Sequence, residues 1–397
     1  MMGRAASDEL VAELRPRYLR ASRGEKKRIL DELVAVTEYH RKYAIALLRS
    51  RPRRTGQRRK AAKRQYQGPV VVALEKLWRI ANRICAKRLV PVLGHYLEAL
   101  ERHGELRLAG ETRRLLLEMS PATADRLLRR IRQQERPHGL STTKPGTLLK
   151  SSIPIRTYAE WNEAQPGFTE VDLVAHGGYS SRGEYLHSLD MVDIATRWVE
   201  LAALPNRGQA AVSAAIVNCQ ARLPFPLLGL DSDNGAEFIN ANLLRYCREQ
   251  KITFTRCRPF KKNDQAHVEQ KNWTAVRQIV GYDRYEGEAA YRTLEALYVP
   301  LHLYLNFFSP VMVLMSKERN GAKVTKRYDQ AKTPYQRVLD SPHVSDEAKA
   351  RLCSQYLSLN PAELLRQIEA CQERLWSLVT KPIPSVTSAN EAPIPLR

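Results

Sequence analysis

Between Phe168 and Val280 the hydrophobic period switches repeatedly between two and about 3.6, and few folds accept that. FTEVDLVA (168–175), GEYLHSLDMVD (183–193) and TRWVELAAL (196–204) read as three strands joined by hairpins. A helix follows at 208–223. The short strand PLLGLDSD (226–233) then runs into the turn dipeptide Asn234-Gly235. Another helix at 239–250, the strand ITFTRC (252–257) and a helix at 265–280 complete the series. A strand meander followed by alternating helix and strand specifies a mixed sheet flanked by helices.

The chain before this stretch is helical and basic. Residues 1–150 hold 35 Lys and Arg against 15 Asp and Glu, whereas 151–397 hold 29 against 27. Nearly all of the net charge of +22 therefore sits in the first part, as expected of a polyanion-binding module. Nucleic acid is the first reading, because each neutralised phosphate releases counterions; a membrane surface is the rival. SRGEKKRILDELVAV places Ile29, Leu30, Leu33 and Val34 at helical spacing, opened by Ser22 or Arg23-Gly24. After a break at Thr37-Glu38-Tyr39, YHRKYAIALL resumes the pattern, which makes a helix-turn-helix candidate. From 49 to 64 there are nine Lys and Arg and no acid, an arm for phosphates or a minor groove carrying Arg53, Arg54, Arg58 and Arg59. Residues 69–104 are helical again. LAGETRRLLLEMSPATADRLLRRIRQQ is a second helix-turn-helix candidate, with Ser120 as N-cap and Pro121 at the first helical position. Arg126, Arg129 and Arg130 on its last helix suit a major groove. Residues 1–136 thus form a helical DNA-binding region, and the Pro, Gly, Ser and Thr of 137–167 form a linker.

The core spans 168–310 and a mostly helical C-terminal region 311–380. In the latter, Arg319, Lys323, Lys326 and Arg327 punctuate an extended or loop segment that is a candidate for touching target DNA. Two helices cover 345–378, the second capped at Asn360-Pro361 and striped with Leu364, Ile368, Cys371, Leu375 and Leu378. The tail 381–397 has a disordered composition. Six cysteines without a C-x-x-C pair exclude a zinc knuckle, a redox motif and a secreted disulfide scaffold. The N-terminus has no apolar signal core. Ala296 to Ser316 is uncharged and long enough to cross a bilayer, but it contains Pro300, His302, Asn306, Ser309 and Pro310. A buried helix from Leu301 to Phe308, ended by Ser309-Pro310, is the better expectation, and no membrane partner is expected.

Phosphoryl transfer on DNA uses two divalent cations roughly 4 Å apart, clamping the attacking and leaving oxygens. Mg2+ takes hard oxygen ligands. Asp172 lies within an apolar strand, where a charge is costly unless paired or bound to metal. Asp233 ends a strand, and Glu269 lies on the helix after the next strand. Asp231 shares the strand of Asp233 and competes with it; Asp190 and Asp193 read as structural acids near Arg197. Glu237 reads as favouring a helix N-terminus and Asp264 as a helix cap.

The block LDSDNGAEF (230–238), then RPFKKNDQAHVEQKN (258–272), resembles the retroviral-integrase-type core of bacterial insertion-sequence transposases over roughly 165–310. That resemblance implies an RNase H-like fold and a two-metal Asp-Asp-Glu site, with Asp172, Asp233 and Glu269 as catalytic residues and metal ligands. It implies two Mg2+ ions, with Mn2+ as a substitute, and DNA as partner, both terminal inverted repeats and target. A homo-oligomer on paired DNA ends and a cytoplasmic, nucleoid-associated location go with it. The basic segment Arg258 to Asp264, with Lys261 and Lys262, is expected to form a mobile loop that contacts the DNA end. No His-His-Cys-Cys zinc arrangement precedes the core, and no lysine pair follows Glu269 on its helix face. A hydrolytic RNase H-like nuclease and a catalytically inactive DNA-binding regulator remain as alternatives.

Overall fold

Short-range capping sets out the N-terminal helices. The computed structural model describes residues 4–49, 65–134, 165–233, 235–256, 266–320 and 323–380. The arm residues Arg53, Arg54, Arg58 and Arg59, nearly all of the 137–167 linker, the loop from Arg258 to Asp264 and the tail lie outside the described residues. The chain divides into two compact units, Met1–Gln65 and Tyr66–Arg397.

The first unit holds Arg4–Arg20 (α1), Arg23–Thr37 (α2) and Arg41–Arg49 (α3). Ser22 is the N-cap of α2 in a reciprocal capping box with Glu25. Glu38 ends that helix in the left-handed region at φ 58°. Val11, Tyr18, Ile29, Leu30, Leu33, Ala44 and Leu48 form the core of this unit.

The second unit begins with Pro69–Ile80 (α4), Ala86–Leu89 (α5), Leu93–Arg102 (α6), Gly110–Leu117 (α7) and Pro121–Gln134 (α8). Ser120 Oγ accepts the Thr123 N–H at 3.2 Å, the expected cap of α8. Strands follow at Phe168–Ala175 (β1), His187–Asp193 (β2) and Val199–Leu204 (β3), then helix Gln209–Arg222 (α9), strand Gly229–Ser232 (β4), helix Ala241–Glu249 (α10) and strand Thr253–Arg256 (β5). Their sheet order is β3-β2-β1-β4-β5, antiparallel across β3-β2-β1 and parallel across β1-β4-β5. This is the expected meander joined to alternating helix and strand. Glycine is required at 229, where a Cβ would meet the ring of its register partner Phe168 at 2.4 Å.

Alternation along β1 separates two cores. Val171 packs with Leu189, Ile216, Phe238 and Phe254 under α9 and α10. Val174 faces the opposite way, toward a larger core. The helix predicted over 265–280 is Ala266–Lys271 (α11), a π-helical stretch Asn272–Arg277, and Gln278–Val280 (α12). Gly287–Phe307 (α13) follows, and a hairpin of Leu314–Asn320 (β6) and Lys323–Tyr328 (β7) stands where an extended or loop segment was expected. Pro334–Asp340 (α14), Asp346–Ser358 (α15) and Pro361–Ser377 (α16) complete the chain. Asn360 caps α16 as expected, and Leu364, Ile368 and Leu375 of its stripe are core residues.

One sequence expectation is revised. The helix predicted from Leu301 begins at Gly287 and passes through Pro300, because α13 is anchored along its length. Asn306 bonds both backbone groups of Val199 on edge strand β3, donating to the carbonyl and accepting the N–H at 2.8 Å each. The polar residues in this apolar stretch thus serve the sheet edge, and no described helix is long and apolar enough to cross a membrane. The division into compact units falls at Gln65. The physical reason is that α4 to α8 share one hydrophobic core with α13 and α16; Tyr96 donates to the Phe308 carbonyl at 2.9 Å and Tyr304 to that of Ile80 at 2.7 Å.

Candidate active site

The pleat of β1 turns Glu170, Asp172 and Val174 to one face, and the antiparallel register sets Asp190 of β2 directly beside Asp172. On the other side, β4 runs parallel with Glu170 level with Asp231 and Val171 level with Ser232. One step further along that register brings Asp172 level with Asp233, just past the end of β4. Two acids far apart in sequence thus meet where β4 ends beside the middle of β1.

Asp172 is held from two directions. Its Oδ1 accepts the Leu173 N–H at 2.8 Å and its Oδ2 accepts the Asn272 side-chain amide at 2.6 Å. Its carboxyl is nevertheless pushed up to about 7, first by burial, then by the charge of Asp233, with Glu269 adding in the same direction. Asp233 is raised as well, by burial and by Glu237, although its Oδ1 accepts the Gly235 N–H at 2.8 Å. Gly235 makes that crowding possible: a Cβ there would meet the Glu237 carboxyl at 2.7 Å and Asp233 Oδ1 at 2.9 Å. Glu269 is exposed on α11. Among the described residues, no three His, Cys, Asp or Glu side chains gather closely enough to form a ready metal cage.

The helix carrying Glu269 is fixed by groups that local sequence pattern does not mark. Glu170, buried on β1, accepts the Val268 N–H at 2.6 Å, satisfying a first-turn donor of α11. The π-helical stretch opens at Asn272, one turn after Glu269, and turns that amide onto Asp172. Lys271 is buried against the same sheet face. Burial pulls its ammonium down to about 8 while Asp190 holds it up. Asp190 in turn is raised well above the carboxylate range by burial, with no hydrogen bond to either oxygen among the described residues.

The competing acids separate by their contacts. Asp231 accepts the Thr255 hydroxyl at 2.6 Å in the interior of the sheet. Asp193 is a turn-holding residue: it accepts Gly167 N–H at 2.7 Å and both the N–H and hydroxyl of Thr196, while Arg197 contributes its charge. Glu237 lies in the turn beside Asp233 and not on a helix; Asn240 caps α10. Asp264 lies outside the described residues, as do Arg258, Lys261 and Lys262. Arg126, Arg129 and Arg130 are all exposed on α8.

The integrase core domain family matches residues 162–262, a span that includes Asp172 and Asp233 and ends seven residues before Glu269. A protein of Sinorhizobium fredii (strain NBRC 101917 / NGR234), named only as uncharacterized protein y4rM, is 43% identical over 333 residues, covering 84% of this chain and 95% of its own. Among solved structures, the catalytic core domain of BIV integrase aligns with 45% of this chain and 96% of its own, at 22% identity and a TM-score of 0.30.

Proposed function

Because residues 162–262 match the integrase core domain family, we propose that the chain is the DNA transposase of an insertion sequence, cutting at terminal inverted repeats and joining the freed 3′-OH to target DNA. The observation that carries this reading is the electrostatic crowding of Asp172 by Asp233 and Glu269 where β4 ends beside β1. Like charges forced together in a buried place suit a cation, and the donors are all hard oxygens. Asp172, Asp233 and Glu269 would hold two Mg2+ ions, with Mn2+ as a substitute. With such ions bound, the site gains a water of lowered pKa and a clamp on the attacking and leaving oxygens.

The chain's own residues do the positioning. Leu173 and Asn272 fix the two oxygens of Asp172, so its remaining lone pairs point in set directions. Gly235 holds Asp233 by one oxygen and leaves the other for a ligand. Glu170 anchors the helix one residue before Glu269, so that the third carboxylate moves with the sheet. The exposed arginines of α8 and the basic arm at 49–64 supply phosphate contacts, and Lys261 and Lys262 would hold the DNA end. Pairing of two ends implies a homo-oligomer on DNA, working at the nucleoid.

The test uses the full chain with Mg2+ and DNA from the flanks of its own gene, together with a supercoiled target. The expected products include joined strands longer than the input. Shortened strands with no joined product would favour a hydrolytic nuclease, and unaltered DNA would favour an inactive DNA-binding regulator.

A further inference from the structure

We infer that the β6–β7 ribbon is a duplex-DNA-binding element that enters a groove, an inference that rests on the transposase reading. Of its thirteen strand residues, five are Lys or Arg and one is Glu. No third strand joins it among the described residues. Thr325, Lys326, Arg327 and Tyr328 are successive and all exposed, and successive strand residues point to opposite faces, so neither face serves as a core. The register sets Lys317 across from Lys326 and Ser316 across from Arg327. Lys326 and Arg327 are adjacent exposed cations, and such a pair suits a polyanion. A major groove about 12 Å wide admits a two-stranded ribbon of this kind.

A lone hairpin is marginally stable, but this one has a fixed base. Val313 N–H donates to Asp329 Oδ1 at 2.6 Å and Asp329 N–H to the Val313 carbonyl at 3.0 Å. Arg337 braces Asp329 at 2.7 Å, largely out of solvent. Tyr328 at the end of β7 lines a cleft of about 740 Å³, together with Met312 and with Gln270, Trp273 and Thr274 of the helix that carries Glu269. Trp273 is 48% exposed and follows Glu269 by about one turn. A duplex seated on the ribbon therefore meets, at this cleft, the helix that carries Glu269.

Full-length Lys326→Ala/Arg327→Ala protein tests this by fluorescence anisotropy on a mixed-sequence duplex and on single-stranded oligo-dT over a KCl series. Exposed Arg351→Ala/Arg374→Ala on α15 and α16 matches the charge change as a control. The slope of log affinity against log salt should lose about 2 in magnitude on duplex DNA for the ribbon variant, with a smaller change on oligo-dT. The control should keep the parent slope. A ribbon variant with the parent's duplex slope overturns the inference while the transposase reading stands, as does a loss equal for both substrates or matched by the control. A parent protein that binds no duplex overturns both.

Discussion

Asp172 shows how much one residue can announce. A charge inside an apolar strand is expensive, and the groups acting on this one are Asp233, Glu269 and the amide of Asn272. Glu170 gave no such signal, since an acid two residues earlier looks like an ordinary strand-edge residue. Its partner is a backbone N–H 98 residues away. Glu170→Ala should lower stability by about 1–2 kcal/mol, because a buried N–H loses its acceptor. It should also slow joining more than Glu170→Gln, which keeps an acceptor oxygen; urea unfolding and single-turnover rates read the two effects, and equal joining rates for the two variants would remove Glu170 from a positioning role. His95 allows a second test. Its Nε2 donates to the Phe307 carbonyl at 2.8 Å and its ring stacks on Tyr356, so burial pulls it from the ordinary 6.5 to about 4. The unfolded chain then binds the proton more readily than the folded one, and this histidine costs stability as pH falls from 6.5 toward 4. Relative to the parent, His95→Gln should gain about 1 kcal/mol for each pH unit lowered across that window, read from urea midpoints. A pH-independent difference would contradict it.

At the level of elements, legibility followed the range of the forces. The strands of the meander and the helices of 208–250 were readable because period and flanking turns are local; β1 matches its expected span. The caps at Ser22, Ser120 and Asn360 were readable for the same reason. The π-helical stretch was not, because its cause is tertiary: Val276, Ile279 and Val280 must stay in the core while Asn272 reaches Asp172. Helix α13 was cut short in the sequence reading because Pro300 signals a break, yet Leu294, Leu297, Leu301 and Tyr304 pin the helix on both sides of it. The β6–β7 hairpin was hidden by its charge, since a ribbon without a buried face has no alternation to read.

Across the whole molecule, charge and core divide the chain at different places. The basic excess ends near residue 150, but the hydrophobic core joins α4 to α8 with α13 and α16. Sequence composition shows the first division and cannot show the second, because the matching apolar faces lie some 200 residues apart, as Tyr96 and Tyr304 do. A fragment of Tyr66–Arg397 should therefore fold and unfold cooperatively. A fragment ending at 150 should expose Trp78, Leu97 and Leu100, bind a hydrophobic dye and self-associate. A monomeric, dye-silent 1–150 fragment would contradict this division.

On the proposed function, Asp172, Asp233 and Glu269 act as one catalytic set on DNA bound elsewhere in the chain. The most direct test is a strand-joining assay on Asp172→Asn, Asp233→Asn, Glu269→Gln and Asp231→Asn, each scored beside its DNA-end affinity. The proposed reading predicts that the first three lose joining by at least about 100-fold with affinity near the parent's, while Asp231→Asn, changed at a carboxyl that accepts the Thr255 hydroxyl inside the sheet, keeps measurable joining. An active Asp233→Asn protein beside a dead Asp231→Asn protein would contradict it.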